Sequence, residues 1–263
     1  MTAKNYALIT GASQGLGKYI AMDLAKRNYH ILLVALPNEN LSSVASEISK
    51  LNIKVDFFET DLTKKENILD LVQWANKYPI EVLINNAGCG GSKYINDVSF
   101  DYIDSIILLN NRATAQITTS LITNLTKQRK SYILNVSSMA AFSPIGYKTV
   151  YPASKKFTEF FSLGLQEELK SKNVTVSVVY PGPMKTNPDV SQRIEKQSKF
   201  VNAGVIELED VARISINKLF AGKNRIVIGK LNKLSRVILA ILPLKVKIKL
   251  LSKAVKKEID ATK

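Results

Sequence analysis

Two kinds of side chain are scarce in this sequence, and each scarcity excludes a class of site. Its 263 residues include one cysteine and one histidine. A single cysteine excludes a disulfide framework and a cysteine-based zinc site. A single histidine excludes a multi-histidine metal centre and a catalytic pair of histidines. We therefore expect no metal, and any chemistry must rest on other residue types.

Long apolar runs are also lacking. The longest, from Val237 to Leu244, contains Pro243 and falls far short of the ~20 residues that cross a bilayer. The opening residues, MTAKNYALITGAS, have no long apolar stretch ahead of the glycines, which argues against a secretory signal. We expect a cytoplasmic protein.

Positive charge is abundant but unevenly distributed. Lysine and arginine number 37 against 22 aspartates and glutamates, a net charge of +15. Residues 223–263 hold twelve of the basic and two of the acidic residues, which is +10. The rest resembles an ordinary globular protein of one domain, ~250 residues long. A basic tail can meet nucleic acid, anionic lipid or only water.

Apolar runs alternate with helical patterns along the chain. Seven runs are typical of buried strands, at 6–10, 30–35, 53–58, 80–84, 132–136, 174–180 and 225–228. Helical patterns occupy 15–28, 39–51, 63–77, 99–128, 151–171 and 207–220. The alternation predicts an α/β protein, a doubly wound parallel sheet with helices on both faces. Ligands of such folds bind beyond the carboxyl ends of the strands.

A glycine-rich turn, TGASQGLG, joins the first strand to the first helix. Gly11 allows the tight turn, Gly15 lets the backbone approach a pyrophosphate, and Gly17 lets the helix pack close to the sheet. Dinucleotide binding is the favoured interpretation, and a helix start without a ligand is the alternative. The expected contacts are Gly11, Ser13, Gln14, Gly15, Leu16 and Gly17.

The end of the second strand bears on the coenzyme. An acidic residue there would bind the ribose 2′-hydroxyl of NAD and repel the 2′-phosphate of NADP. Residues 34–39 read VALPNE, with neither aspartate nor arginine at the strand end. Lys18 could bind a 2′-phosphate or face water. The sequence favours NADP slightly over NAD.

Tyr151 and Lys155 lie four residues apart at the start of a predicted helix, which places them on one face. A nearby ammonium should lower the pKa of the tyrosine from ~10 toward working pH. Such a tyrosine can exchange a proton with an alcohol oxygen. Ser138, just past the fifth strand, could hydrogen-bond the same oxygen. Surface helices often carry such a Tyr–Lys pair, so its meaning depends on the glycine turn and the serine.

Taken together, these motifs resemble the short-chain dehydrogenase/reductase family over roughly residues 5–228. The matching residues are Thr10–Gly17, Asp61, Leu62, Asn85–Gly88, Asn110, Ser138, Tyr151–Lys155, Pro181, Gly182 and Thr186. The resemblance implies a single-domain Rossmann fold with a seven-stranded sheet. It also implies NAD(P)-dependent oxidation or reduction at a carbonyl or alcohol carbon. Leu36 departs from the pattern, since NADP-using relatives often carry arginine there.

The resemblance further implies roles for individual residues. Tyr151 would be the acid/base, Lys155 would lower its pKa and bind the nicotinamide ribose, and Ser138 would polarise the substrate oxygen. Asn110 would support a proton-relay water, and we prefer it to its neighbour Asn111 because it directly follows Leu-Leu. Further cofactor contacts would come from Asp61, Leu62, Asn86, Ala87, Gly88, Pro181, Gly182, Met184 and Thr186.

The segments beyond these motifs suggest the substrate. Residues from about 183 to 205 lack periodicity, and the resemblance implies a lid there. Apolar residues in this segment, with Phe142, Ile145 and Tyr147, favour a hydrophobic substrate such as a steroid or a 3-keto lipid (3-ketosphinganine-like or 3-oxoacyl). We assign the catalytic domain to 1–229 and an extension to 230–263.

The extension, which we call the tail, predicts two amphipathic helices separated at Pro243, although 244–250 also alternates like a strand. Helices that are apolar on one side and basic on the other are typical of interfacial membrane anchors. Packing on the body or on a dimer partner is the alternative. Nucleic-acid binding is disfavoured because no aromatic residue follows Phe220 for base stacking.

These observations lead to one main hypothesis and two rivals. We expect a reductase of a hydrophobic carbonyl compound, a homo-oligomer of two or four chains, attached peripherally to the inner face of a membrane. One rival is a soluble reductase of a small polar metabolite whose tail serves oligomerisation. The other is a cofactor-binding scaffold without chemistry, and the Tyr–Ser pair argues against it.

Overall fold

The computed structural model describes residues 5–184 and 204–260. Seven strands form one parallel sheet in the order β3-β2-β1-β4-β5-β6-β7. Their bounds are β1 Tyr6–Thr10, β2 His30–Ala35, β3 Val55–Glu59, β4 Ile80–Asn85, β5 Ser131–Val136, β6 Val174–Tyr180 and β7 Arg225–Val227. The order reverses between β1 and β4, and this switch point opens the crevice in which ligands of doubly wound folds bind.

Helices cover both faces of the sheet. They are α1 Gly15–Lys26, α2 Leu41–Ser49, α3 Lys65–Ala75, α4 Phe100–Ile107, α5 Thr114–Thr126, α6 Val150–Glu168, α7 Leu208–Phe220, α8 Lys230–Ile241 and α9 Leu244–Asp260. Short 3₁₀ turns lie at Ile95–Asp97 and Met139–Phe142. The predicted elements are present, with most ends shifted by one to three residues, as for the third strand, which begins at Val55 rather than at 53.

Alternate residues of each strand enter two separate cores. Ala7 and Ile9 of β1 pack on the side of α1, α2 and α7, whereas Leu8 packs on the side of α3, α5 and α6. The central strands are apolar on both faces because helices bury both faces. These packed layers hold the carboxyl ends of the strands in place, and the site residues follow those ends.

The stretch from 99 to 128 differs from the single helix that the sequence predicts. A π-helical turn, Leu108–Ala113, lies between α4 and α5. Such turns are frequent at functional sites. Asn110 lies within it and is buried, with hydrogen bonds that leave its own helix. Periodicity does not reveal the turn, because the apolar positions continue on either side.

Both predicted tail helices are present, and 244–250 is helical rather than extended. Gly229, with a φ of 88°, precedes α8. The tail packs on the body: Asn232 and Ile259 are buried. Several large apolar side chains of the tail nevertheless stay exposed. Within the two described ranges, no helix is both long and apolar enough to cross a membrane.

Candidate active site

The glycine turn has the geometry of a nucleotide cradle. Gly11 and Gly15 have φ values of 64° and 55°, which glycine adopts without strain. A Cβ on Gly17 would overlap the carbonyl group of Gly11, so only glycine lets α1 approach the turn this closely. No side chain caps the N-terminus of α1. Its free N–H groups and its dipole therefore suit a phosphate group.

The asparagines after β4 tie strands together. Asn86 Nδ2 donates to the carbonyl oxygens of Thr10 and Gly11, over 3.0 and 2.9 Å. Asn85 Nδ2 donates to Thr118 Oγ1 and to Asn135 Oδ1, over 2.8 and 2.7 Å. The Asn86 side chain thus supports the glycine turn from behind, and the backbone of 86–88 borders the crevice.

Acidic groups surround the adenosine end of the predicted cofactor site. Ser13 Oγ of the glycine turn donates to Glu39, and Lys18 is paired with Glu47 at 2.7 Å. Leu36 is exposed at the end of β2. Between 34 and 40 there is no basic side chain. The sequence left Lys18 either to bind a 2′-phosphate or to face water. In the structure its ammonium is paired with Glu47 of α2.

Asp61 and Leu62 follow β3 at the same edge of the sheet. Leu62 is buried. Burial alone would raise the pKa of Asp61, but two hydrogen bonds from Thr63, at 2.9 and 2.7 Å, and the charge of Lys64 outweigh it and lower that pKa. Asp61 is therefore ionised at neutral pH, and the hydrogen bonds from Thr63 hold its carboxylate in place.

Lys155 is buried beneath the crevice. Its ammonium donates to the carbonyl oxygen of Val136 over 3.0 Å, and the side chain is 5% exposed. Burial lowers the pKa of Lys155 to about 8, since the charged form loses hydration. Ser137 Oγ donates to the backbone carbonyl of Lys155 over 2.7 Å and fixes this turn of α6.

The phenol of Tyr151 lies close to the Ser138 side chain. Burial raises the pKa of Tyr151, and the Ser138 side chain lowers it by less. This direction is opposite to the lowering that the Tyr–Lys spacing predicts. The reason is geometric: the Lys155 ammonium lies 5.8 Å from the tyrosine ring centroid and bonds to a backbone carbonyl instead. A protonated Tyr151 at neutral pH is a proton donor.

Asn110 bridges three parts of the site. Its Oδ1 accepts from the backbone N–H of Cys89, and its Nδ2 donates to the Cys89 carbonyl oxygen and to Ser154 Oγ, each over 2.9 Å. A Cβ built on Gly88 would lie 3.0 Å from Asn110 Oδ1 and 3.1 Å from Lys155 Nζ, so these two side chains converge there. Asn111 makes one bond, to the carbonyl oxygen of Ser154 at 3.2 Å.

Two further residues, Gly90 and Ser154, shape the site, and the sequence pattern gives neither of them a role. A Cβ on Gly90 would overlap the ring of Tyr151, so this glycine lets the phenol approach the backbone after β4. Ser154 holds Asn110 in place. The run Gly-Cys-Gly-Gly at 88–91 is the one sequence signal that could have indicated the close approach at Gly90.

The nicotinamide side of the predicted site adjoins the tail. Pro181 accepts a backbone hydrogen bond from Met139 over 3.0 Å, and Gly182 leaves no space for a Cβ beside Asn232 of α8. Met184 packs partly buried against the core. The predicted contact Thr186, and residues 185–203 of the lid predicted at about 183–205, lie outside the described residues.

A small pocket lies beside Tyr151, and we call it the Tyr151 cleft. Its other lining residues are Lys93, Ile95, Val98, Tyr102, Tyr147, Lys148, Thr149 and Val150. Apolar and aromatic groups make up most of its walls, with two lysines beside them. The four predicted catalytic side chains therefore come together at the carboxyl ends of β4 and β5, next to a largely apolar cleft.

Comparison with known proteins shows the family to which the chain belongs. A family model described as short chain dehydrogenase matches residues 5–197. The chain belongs to the short-chain dehydrogenase family. The resemblance seen in the motifs is confirmed, as is the prediction of an oxidoreductase of this family with a doubly wound, seven-stranded sheet.

Two relatives in this family are very-long-chain 3-oxoacyl-CoA reductases. The one from Anas platyrhynchos is 35% identical over 182 residues, which is 67% of this chain and 58% of that protein. The one from Lodderomyces elongisporus is 35% identical over 187 residues, 66% of this chain and 53% of that protein. The chain thus matches little more than half the length of either. An uncharacterized oxidoreductase of Staphylococcus aureus strain MRSA252 is 27% identical over 81% of this chain and 94% of that protein.

Solved structures of short-chain dehydrogenases share the fold. A bulky-bulky ketone specific alcohol dehydrogenase from Comamonas testosteroni has a TM-score of 0.76 and 24% identity, covering 92% of this chain and 96% of its own. A short-chain dehydrogenase from Sphingobium yanoikuyae in complex with NADPH has a TM-score of 0.77 and 23% identity, covering 91% and 96%.

Proposed function

We propose that this chain interconverts a carbonyl and an alcohol on a hydrophobic substrate, using NAD(P)(H). The substrate class is a 3-keto lipid, 3-ketosphinganine-like or 3-oxoacyl, or a steroid. One observation carries the proposal: the side chains of Asn110 and Lys155 converge at Gly88 while the ring of Tyr151 packs against Gly90, beside a largely apolar cleft. The relatives named as 3-oxoacyl-CoA reductases support the lipid class.

The side chains divide the work of a reduction. When bound, the nicotinamide supplies a hydride to the carbonyl carbon. Ser138 orients the carbonyl oxygen, and Tyr151 gives that oxygen its phenolic proton as the new C–H bond forms. Burial keeps this proton on Tyr151 at neutral pH. Lys155 binds the nicotinamide ribose and returns the tyrosine to its protonated state, while Asn110 supports the relay water and holds the 88–90 backbone.

The cofactor site extends along the crevice from the glycine turn. Gly11, Gly15 and the uncapped N-terminus of α1 suit the pyrophosphate. Asp61 and Leu62 border the adenine, and 86–88 and 181–184 border the nicotinamide. We propose NADP(H) slightly ahead of NAD(H), because no acidic residue stands at the end of β2. The carboxylate of Glu39 beside Ser13 opposes a 2′-phosphate, so the two coenzymes must be compared directly.

We also propose that the protein attaches peripherally to an anionic membrane through the tail, and that it assembles as a homo-oligomer. Twelve basic residues in 223–263 would be attracted to anionic lipid. Binding to phosphatidylglycerol-containing vesicles that weakens with added salt supports the attachment. Absence of vesicle binding, or vesicle binding that does not change with salt, would refute it. Gel filtration of the full-length protein without lipid gives the oligomeric state.

The direct test is coenzyme oxidation across a panel of ketolipids, steroids and small sugars, with NADPH and NADH compared. We expect turnover of the apolar ketones, and a loss of about 10²- to 10⁴-fold in Tyr151→Phe with coenzyme binding retained. Tyr19→Phe, at a half-exposed tyrosine of α1, is the matched control and keeps the wild-type rate. Turnover of the sugars alone would favour a soluble reductase of small polar metabolites. Coenzyme binding without any turnover would favour a scaffold.

A further inference from the structure

The tail and the Tyr151 cleft share one set of contacts. Ser252 of α9 accepts from the backbone N–H of Gly146 over 2.7 Å. Tyr94 donates its hydroxyl to Asp260 at the end of α9, over 2.7 Å. Ile259, beside Asp260, is buried. The last helix therefore joins the loop after β4 to the loop before α6.

Those two loops are the walls of the Tyr151 cleft. The backbone N–H of Lys93 donates to the carbonyl oxygen of Tyr147 over 2.8 Å, and the rings of Tyr94 and Tyr147 meet edge to face at 5.2 Å. Tyr147 has a φ of 63°, a conformation that a bulky residue holds only when its surroundings impose it. The contacts of α9 on either side of this residue supply part of that restraint.

The first tail helix borders the other side of the site. Asn232 of α8 is buried, bonds to the carbonyl oxygen of Ile228 over 2.8 Å and fills the space beside Gly182. Arg236 of α8 lies over the ring of Phe142 at 5.5 Å, four residues from Ser138. The tail thus touches the nicotinamide-side segment, the Ser138 turn and both cleft loops.

The outward side of the same two helices is apolar and basic. Seven large apolar side chains are exposed there, and Ile241 is 79% exposed: Leu234, Val237, Ile238, Ile241, Leu244, Val246 and Leu250. At 3.6 residues per turn, the four on α8 share one arc of its surface. Lys245, Lys249, Lys253 and Lys256 are exposed along α9. Apolar residues beside a row of lysines match an anionic bilayer, with acyl chains under phosphate groups.

We propose that this surface seats on an anionic lipid bilayer and thereby brings the Tyr151 cleft to the lipid surface, so that the ketone substrate reaches Tyr151 from the membrane rather than from water. The inference rests on the proposed function for its substrate. It goes further in making the tail part of the substrate entrance. The bilayer contacts the outer side of α8 and α9 while their inner side forms the rim of the cleft.

The experiment uses the full-length protein, its coenzyme and vesicles of phosphatidylglycerol mixed with phosphatidylcholine. The test variant is Ile241→Glu with Leu250→Glu, and the control is Leu69→Glu, at an exposed apolar residue of α3. Turnover is measured on a long-chain 3-ketone embedded in the vesicles and on a short water-soluble ketone. Vesicle binding is measured separately by co-sedimentation, with no substrate present.

We expect the test variant to lose vesicle binding and turnover of the embedded ketone by about tenfold or more, because two apolar contacts become charges. Turnover of the soluble ketone and the thermal midpoint should stay at wild-type values, as should every property of Leu69→Glu. If the test variant lost vesicle binding but kept its turnover of the embedded ketone, the proposed entrance from the membrane would be wrong. It would also be wrong if the wild-type protein did not bind vesicles. Absent turnover of both ketones, with vesicle binding intact, would instead count against the proposed reaction.

Discussion

The ammonium of Lys155 donates a hydrogen bond to the backbone carbonyl oxygen of Val136, over 3.0 Å, at the carboxyl end of β5. This partner is neutral, so it offsets only part of the hydration that the ammonium loses on burial. The pKa of Lys155 accordingly falls from 10.5 to about 8. Burial of the Lys155 ammonium beside the crevice therefore lowers the free energy of unfolding.

That cost predicts how stability depends on pH. Between about pH 8 and pH 10.5 the unfolded chain holds the Lys155 proton and the folded chain has lost it. Since the unfolded state then binds more protons, the free energy of unfolding contributed by this group rises with pH across that window. The full rise is on the order of 3 kcal/mol. Below pH 8 both states are protonated and the contribution is flat.

The measurement is urea unfolding of the coenzyme-free protein from pH 7 to 10, for wild type and Lys155→Met. Because Lys155→Met has no titrating group at this position, the difference between the two curves is the quantity to read. The free energy of unfolding of the wild type minus that of Lys155→Met should rise with pH, because only the wild type carries the buried lysine. Parallel curves would contradict the assignment.

The second prediction separates the two neighbouring asparagines. Asn110→Ala removes three hydrogen bonds of a side chain that is 1% exposed and leaves both backbone groups of Cys89 without this partner. We expect a loss of about 2–4 kcal/mol in the free energy of unfolding, together with loss of activity. Asn111→Ala removes one bond of 3.2 Å and should cost less than about 1 kcal/mol. Urea unfolding of both variants tests this, and equal losses would argue against the bridging role of Asn110.

The fold and the order of the motifs can be predicted from the sequence because both depend on local patterns. Apolar strands alternate with helices, and the glycine turn stands where β1 meets α1, with φ values at Gly11 and Gly15 that explain the residue type. Asn110 is the side chain that converges with Lys155 at Gly88, and its choice over Asn111 for the relay role stays a prediction.

Other features depend on contacts between distant residues and leave no local pattern. The π turn at Leu108–Ala113 is held by bonds to Cys89 and Ser154. The raised pKa of Tyr151 follows from burial, not from its spacing to Lys155. Likewise, the amphipathic stripes of the tail predict two helices, but which loops they contact is decided by the shape of the body. In the structure one side of the tail packs and another stays exposed.

The third prediction concerns the close approach of Gly90 to Tyr151. A methyl group at this position would overlap the tyrosine ring, so Gly90→Ala must displace either the ring or the loop. A displacement near 1 Å in a catalytic group lowers turnover by up to ~100-fold, and we expect a fall in kcat between about 10- and 100-fold. Steady-state kinetics on any accepted ketone, with the coenzyme Kd as a second readout, provides the check.

Gly164 provides the matched control for this substitution. It lies inside α6, and no atom of the described residues stands within 4 Å of the position of its Cβ. Gly164→Ala should therefore leave kcat unchanged and raise the free energy of unfolding by about 0.5–1 kcal/mol, because alanine is the better helix former. Unchanged kcat in Gly90→Ala would show that the ring of Tyr151 has room to move.

The last prediction concerns the coenzyme. Glu39 accepts a hydrogen bond from Ser13 of the glycine turn, so its carboxylate lies at the adenosine end of the proposed cofactor site, where a 2′-phosphate would be repelled. Glu39→Gln keeps the hydrogen-bonding shape and removes the charge. We expect the ratio of kcat/KM for NADPH over NADH to rise about tenfold, or ~1.4 kcal/mol. Glu167→Gln, which removes an equally charged but exposed carboxylate near the end of α6, should leave that ratio unchanged. An unchanged ratio in Glu39→Gln would mean that the carboxylate lies too far from the 2′ position to select the coenzyme, and Leu36 would then be the next residue to replace.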